Sequence, residues 1–139
     1  MKKFLVAIDQ GTTSSRAILF SLNGKPIYTS QKEFRQHFPK NGWVEHNPNE
    51  IWNTVKKVLL DVIAQSKKLK GKILSIGITN QRETTILWDK KTGKHVYNAI
   101  VWQDRRTAEF CKKFKTNKKE KFINSCPLPT KKTKEFITL

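Results

Sequence analysis

Residues 9–16, Asp9-Gln10-Gly11-Thr12-Thr13-Ser14-Ser15-Arg16, gather in one short stretch the groups that hold a phosphate. A glycine among small hydroxyl residues lets the backbone come close to an anion, and successive N–H groups in such a turn form an anion-binding nest. The Thr and Ser hydroxyls add donors, and Arg16 can neutralise phosphate charge. Asp9, at the mouth of an apolar strand, can hold a hydrated Mg²⁺ through its carboxylate. The GxxxxGK[ST] pattern of the P-loop is absent, so this would be a different cradle. The same residues also read as an ordinary polar hairpin with Asp9 satisfied locally.

A second polar turn, Asn80-Gln81-Arg82-Glu83-Thr84, lies between two apolar stretches. Arg82 offers fixed donors and Glu83 acceptors, so together they can grip adjacent hydroxyls of a polyol. The alternative is a local salt bridge that caps a hairpin. A third segment, Val101-Trp102-Gln103-Asp104-Arg105-Arg106, places Trp102 where it could wall a small substrate's carbon chain or simply pack in a core. Trp43, Trp52 and Trp88 are assigned to packing. His37, His46 and His95 are given no chemistry, and Cys111 and Cys126, without metal-ligand spacing, are read as free thiols.

The elements that must position these turns follow from periodicity. Phe4–Ile8 is an unbroken apolar run, the pattern of a strand buried on both faces. Arg16–Leu22 reads as a second strand, Asn23-Gly24 as a hairpin turn and Pro26–Phe34 as a more exposed third strand. These three make an antiparallel meander. Residues 35–46 form a loop. Asn47 caps a helix with Pro48 at its first position and Glu50 reaching back as in a capping box. Ile51, Trp52, Val55, Val58, Leu59, Val62 and Ile63 mark its apolar face to about Leu69, and Gly71 ends it. Ile73–Ile78 is another buried strand, parallel to its partner because a helix crosses over before it. Thr84–Asp89 and His95–Val101 read as a hairpin, and Arg106–Phe114 as a helix. A short helix near Lys118–Ile123 and a disordered end complete the expectation.

Composition narrows the class. The 139 residues carry a formal charge of +17, from 28 basic and 11 acidic side chains, but only five of the basic ones are Arg. Lysines scattered along the chain indicate a solvated basic surface rather than base or phosphate readout, which favours Arg. The opening apolar run of five residues, ended by Asp9, is short of a secretory core, and no stretch approaches the roughly 20 apolar residues of a membrane span. The reading is a cytoplasmic protein without nucleic-acid or membrane partners.

Taken together the motifs resemble one family. Ile8–Arg16 looks like the first phosphate motif of the FGGY carbohydrate kinases in its glycerol kinase form. Gly42-Trp43-Val44-Glu45-His46-Asn47-Pro48 with Ile51-Trp52, Ile78–Thr85 and Ala99–Thr107 are similar to that family's following segments, in the same order. The resemblance implies an α/β fold of the ribonuclease H-like, actin-like ATPase kind: a mixed sheet that starts with three antiparallel strands and is incomplete at the C-terminus. It implies transfer of the ATP γ-phosphoryl to glycerol, giving sn-glycerol 3-phosphate. Gly11, Thr12, Thr13, Ser14 and Arg16 would contact ATP phosphates, and Asp9 would help hold Mg²⁺. Arg82 and Glu83 would bind glycerol hydroxyls, with Trp102 lining the pocket. The Asn80–Thr84 run favours glycerol over a pentulose.

The resemblance covers about residues 4–124, so residues 1–124 are read as a partial kinase domain and 125–139 as a divergent Lys-rich tail. The family's Asp-Pro-Tyr-Phe stretch is not found there, nor is the second half with the Asp that acts as general base, so no catalytic base is assigned. The expectation is a truncated or frameshifted chain, inactive alone, since losing a general base costs roughly 10² to 10⁴ in rate. For full-length members the resemblance leaves room for a homo-oligomer. Two other readings stand beside the kinase. A non-catalytic remnant would still bind Mg-ATP weakly, and a nucleic-acid-binding protein would bind DNA with strong salt dependence.

Overall fold

The computed structural model describes residues 1–116. Strands β1 (Lys2–Gln10), β2 (Ser14–Ser21) and β3 (Pro26–Glu33) form the expected antiparallel meander, and β5 (Gly71–Asn80) adds to the far side of β1, giving the order β3-β2-β1-β5. Helix α1 (Pro48–Lys68) carries the chain across, and β5 runs parallel to β1. A short strand β4 (Glu45–His46) pairs antiparallel with β6 (Ala99–Ile100), and α2 spans Ala108–Thr116.

The core is one layer of side chains between the sheet and α1. Phe4, Val6 and Ile8 of β1 and Ala17 and Leu19 of β2 meet Val58 and Val62 of α1. The chain makes α1 here for local reasons. The Asn47 side-chain Oδ1 accepts from the Asn49 N–H at 2.9 Å, Pro48 needs no N–H partner, and Lys67 and Lys68 sit at the negative end of the helix dipole. Glu50 does not close a capping box; its carboxylate accepts from the Arg35 N–H instead. The buried stripe is Ile51, Thr54, Val58, Val62 and Ser66. Trp52 falls off that stripe and is 64 % exposed, and Trp88 is exposed as well, so both depart from the packing role expected of them. Trp43 is half-buried beneath the Arg106 guanidinium.

Three further expectations are corrected. First, β1 and β5 are not buried on both faces. Alternate residues of β1 are buried, while Leu74, Ile76 and Ile78 of β5 are exposed, because α1 covers one face and no described residue covers the other. Second, Gly71 does not supply the turn after α1. Lys70 takes the left-handed conformation (φ 51°), and Gly71 opens β5 where a Cβ would lie 2.1 Å from the Phe4 ring. Third, the hairpin of 84–101 is reduced to bridges at Thr85–Ile100 and Trp88–His95, because Ala99–Ile100 pairs with Glu45–His46 from the segment read as a loop. The second helix starts at Ala108 rather than Arg106, whose N–H and guanidinium are both committed to Asp104. The expected helix at 118–123 and the tail lie outside the described residues.

Candidate functional site

The first polar turn leaves the sheet between β1 and β2. Gly11 N–H donates to the Ser14 carbonyl at 2.9 Å, closing the turn, so this amide belongs to the fold and not to an anion nest. A Cβ at Gly11 would lie 3.2 Å from that carbonyl. Among the described residues the N–H groups of Thr12 and Thr13 make no hydrogen bond, which leaves them able to donate to an anion. Ser14 Oγ accepts from Gln31 Nε2, and Thr13 is held by its carbonyl, which accepts from Phe34 N–H. Below the turn, buried Ser15 and Thr54 share a hydroxyl–hydroxyl bond of 2.9 Å that fastens β2 to α1. The turn thus stands on the core.

Asp9 and Arg16 face each other across β1 and β2, with Arg16 Nη2 2.8 Å from Asp9 Oδ2. Both side chains are about half exposed, so the pair adds little to stability and either partner is free to exchange it for a ligand. An exposed carboxylate is what a hydrated Mg²⁺ needs. That ion keeps several waters and takes one or two carboxylates plus substrate phosphates. Among the described residues no group of three or more His, Cys, Asp or Glu side chains could cage a metal, so Asp9 fits an ion carried in with a phosphate better than a resident one.

The second turn follows β5, which lies beside β1, so the two turns emerge side by side. Gln81 N–H donates to the Gln10 carbonyl at 2.7 Å. A cleft of about 350 Å³ lies between the turns, lined by Thr12, Asn80, Gln81, Arg82, Glu83 and Trp102. Trp102 closes it: its indole Nε1 donates to Thr12 Oγ1 at 3.1 Å. Arg82 and Glu83 are exposed and make no ion pair with each other among the described residues, so the local salt bridge weighed above is not formed. Glu83 has φ 62°, an uncommon conformation for a residue with a side chain and one that collects at functional sites. Of the sequence-derived candidates the structure brings Thr12, Arg82, Glu83 and Trp102 to one cleft, and places Gly11 and Thr13 in the turn beside it and Asp9, Ser14 and Arg16 at the adjoining ends of β1 and β2.

The sequence reading gave two groups of residues no role of their own. Asn80 and Gln81 line the cleft, and their place just before Arg82 was the available signal. The other group is a buried ionic cluster. Glu45, 1 % exposed, accepts from Tyr97 Oη, Asn98 Nδ2 and Arg106 Nη2 at 3.1, 3.0 and 2.7 Å. Arg106 also grips Asp104 through Nε and Nη2 and stacks 3.8 Å above the Trp43 ring. Asp104 in turn accepts from the Val44 N–H. Hydrogen bonding to Arg106 holds the Asp104 carboxyl down at about 2, against the opposing effect of burial. Burial pushes Glu45 up, but its bonds to Asn98, Arg106 and Tyr97 outweigh that and leave it below the usual carboxylate range. Arg106 is correspondingly raised, chiefly by its bond to Asp104. The cluster clamps the segment carrying Trp102 onto β4.

A meander extended by a parallel strand, with phosphate-type and polyol-type turns over one cleft, defines the opening domain of an actin-like ATPase fold. The chain belongs to the FGGY family of carbohydrate kinases: residues 4–133 match the profile of that family's N-terminal domain. It is 54 % identical over 123 residues to a glycerol kinase of Bacillus licheniformis, covering 88 % of this chain and 25 % of the relative. It is 62 % identical over 116 residues to that of Alkaliphilus oremlandii, covering 84 % and 23 %. Among solved structures it resembles the glycerol kinase of Plasmodium falciparum with ADP (TM-score 0.76, 36 % identity, 83 % of this chain and 23 % of that one). It also resembles a gluconate kinase from Lactobacillus acidophilus (TM-score 0.76, 25 % identity, 84 % and 23 %). The chain spans about a quarter of the length of the curated relatives it matches. No helix among the described residues is long and apolar enough to cross a membrane.

Proposed function

We propose that this domain supplies the glycerol-facing and phosphate-facing wall of an ATP-dependent glycerol kinase working in the cytoplasm. In that reaction the γ-phosphoryl of Mg-ATP passes to a terminal hydroxyl of glycerol and gives sn-glycerol 3-phosphate. The Arg82 guanidinium donates to glycerol hydroxyls, the Glu83 carboxylate accepts from them, and the Trp102 ring walls the carbon chain. Thr12, Thr13 and Ser14 donate to phosphate oxygens, with Gly11 allowing their approach. Arg16, which pairs with Asp9, would add positive charge at the phosphates, and the exposed Asp9 carboxylate would help hold the Mg²⁺. The metal ion, when bound, supplies positive charge to the phosphate oxygens. Phosphoryl transfer gains mostly from such positioning and charge stabilisation.

One observation carries this reading: the turn suited to phosphate and the turn suited to hydroxyls line a single cleft, joined by the Trp102–Thr12 hydrogen bond. The names of the similar proteins support glycerol as the alcohol. A ¹⁵N-labelled chain titrated with glycerol tests it. The Arg82 and Glu83 amides and the Trp102 indole should shift together with one saturation curve. A titration to molar glycerol that moves none of them overturns the assignment.

A further inference from the structure

Between the two turns runs a continuous chain of side-chain hydrogen bonds whose direction is fixed at every link. Gln36 Nε2 donates to the carbonyls of Thr12 and Phe34 at 3.1 and 3.3 Å. Its amide is therefore oriented with Oε1 the other way, towards His46 Nε2 at 2.5 Å. An amide oxygen only accepts, so His46 Nε2 must carry the proton. The other ring nitrogen, Nδ1, is then an acceptor and faces Gln81 Nε2 at 3.3 Å. Gln81 Oε1 is left to accept from Thr84 Oγ1 at 3.0 Å. The chain starts at the Thr12 carbonyl and ends at Gln81 and Thr84, which bracket Arg82 and Glu83.

We infer that His46 is a positioning residue: neutral, protonated at Nε2, it locks the phosphate-facing turn to the glycerol-facing turn, so that Thr12 and the Arg82–Glu83 pair hold a fixed separation across the cleft. This role rests on the proposed function for its purpose but not for its geometry. His46 and Gln81 are buried, at 0 % and 7 % exposed, so neither side chain has water as an alternative partner. The Phe34 ring meets the imidazole edge-on with 5.0 Å between centroids and holds its plane. The groups that act on its charge are His37 from the preceding loop, which disfavours the imidazolium, and Glu50 from the first turn of α1, which favours it. Just after β5 the Gln81 amide meets its Nδ1, and in β6 its register partner is the uncharged Ala99. Burial, aided by His37, brings its pKa down to about 4. A second proton would place an N–H at Nδ1 against the donor of Gln81 and break the chain at its centre.

The test uses the ¹⁵N-labelled 139-residue chain, without ligand first. Imidazole nitrogen spectra should show His46 as the Nε2–H tautomer from pH 7 to pH 5; the Nδ1–H tautomer, or an imidazolium at pH 6, overturns the inference. Amide exchange at Gln81–Thr84 should then quicken by up to about tenfold in His46→Phe, the loss of about one net hydrogen bond, with core amides such as Val6 and Leu19 unchanged. His46→Gln, which can both donate and accept, should restore part of the protection. If His46→Phe does not fold, Gln36→Leu cuts the same chain at a surface-proximal link and must quicken the same amides. Unchanged exchange there in a folded variant refutes the inference. Glycerol is added last. Weaker glycerol binding in His46→Phe than in the parent supports the role, and equal affinity contradicts it. A parent that binds no glycerol defeats the proposed function while the tautomer and exchange results still decide the relay.

Discussion

Trp102 donates its indole hydrogen to the Thr12 hydroxyl across 3.1 Å, although 90 residues separate them in the chain. One bond thus ties the ring that lines the cleft to the turn proposed to meet phosphate. Trp102→Phe keeps a wall but removes the donor. It should weaken glycerol binding by roughly three- to tenfold, the worth of about one net hydrogen bond. Trp102→Ala should weaken it further, and thermal stability should barely change because the ring is about half exposed. Calorimetry with glycerol, paired with thermal melts, checks both.

Glu83 combines a left-handed backbone with a place in the lining of the cleft. Glu83→Gly relieves the backbone and removes the carboxylate. Stability should stay level or rise by up to about 1 kcal/mol, since the relief is offset by glycine's greater unfolded-state freedom. Glycerol binding should fall by at least about tenfold. A variant that loses both stability and binding would mean that Glu83 is structural.

Arg106 is the common partner of two buried carboxylates, Glu45 and Asp104. Arg106→Ala strands both and should destabilise the domain by about 3–5 kcal/mol, the usual result of breaking a buried pair from one side. Urea unfolding followed by tryptophan fluorescence measures it. Arg106→Met with Glu45→Gln and Asp104→Asn should recover part of the loss.

Acid should unfold the domain in two windows. His46 is a base whose folded pKa, about 4, lies below its ordinary 6.5, so the unfolded chain binds the proton first. Its contribution is complete above pH 6.5 and fades between 6.5 and 4, by on the order of 3 kcal/mol. Asp104 is an acid held at about 2 against an ordinary 3.8. Its contribution is complete above 3.8 and fades as pH falls towards 2, by on the order of 2 kcal/mol. Urea midpoints measured from pH 7 to pH 3 should fall in both windows, and His46→Phe should flatten only the upper one.

Gly71 shows what periodicity could and could not reveal. The sequence correctly marks the end of α1 with a glycine nearby. The reason, a Phe4 ring occupying the space of a Cβ, is a contact between residues 67 positions apart and has no local signature. The meander, the crossover and the candidate turns were legible because each depends on short-range spacing. The outer face of β1 and β5 was misjudged, because an apolar run reports that a face needs cover, not which residues provide it. His46 and the Glu45–Asp104–Arg106 cluster were invisible as chemistry, since polar groups take on roles inside a fold only when distant partners arrive. Gly71→Ala should cost about 1–3 kcal/mol through overpacking against Phe4, as a melt of the variant will show.

The central claim is that this chain's two turns serve glycerol phosphorylation as one site. It is tested most directly by exchanging the chain for the matching segment of the Bacillus licheniformis glycerol kinase, to which it is 54 % identical, and assaying the folded hybrid for ATP-dependent phosphorylation of glycerol. The account predicts an active hybrid whose activity falls by at least about a hundredfold in Arg82→Ala, a loss expected when a positioned, charge-assisted contact to the reacting alcohol is removed. A folded hybrid that phosphorylates no glycerol, or one indifferent to Arg82→Ala, would contradict it.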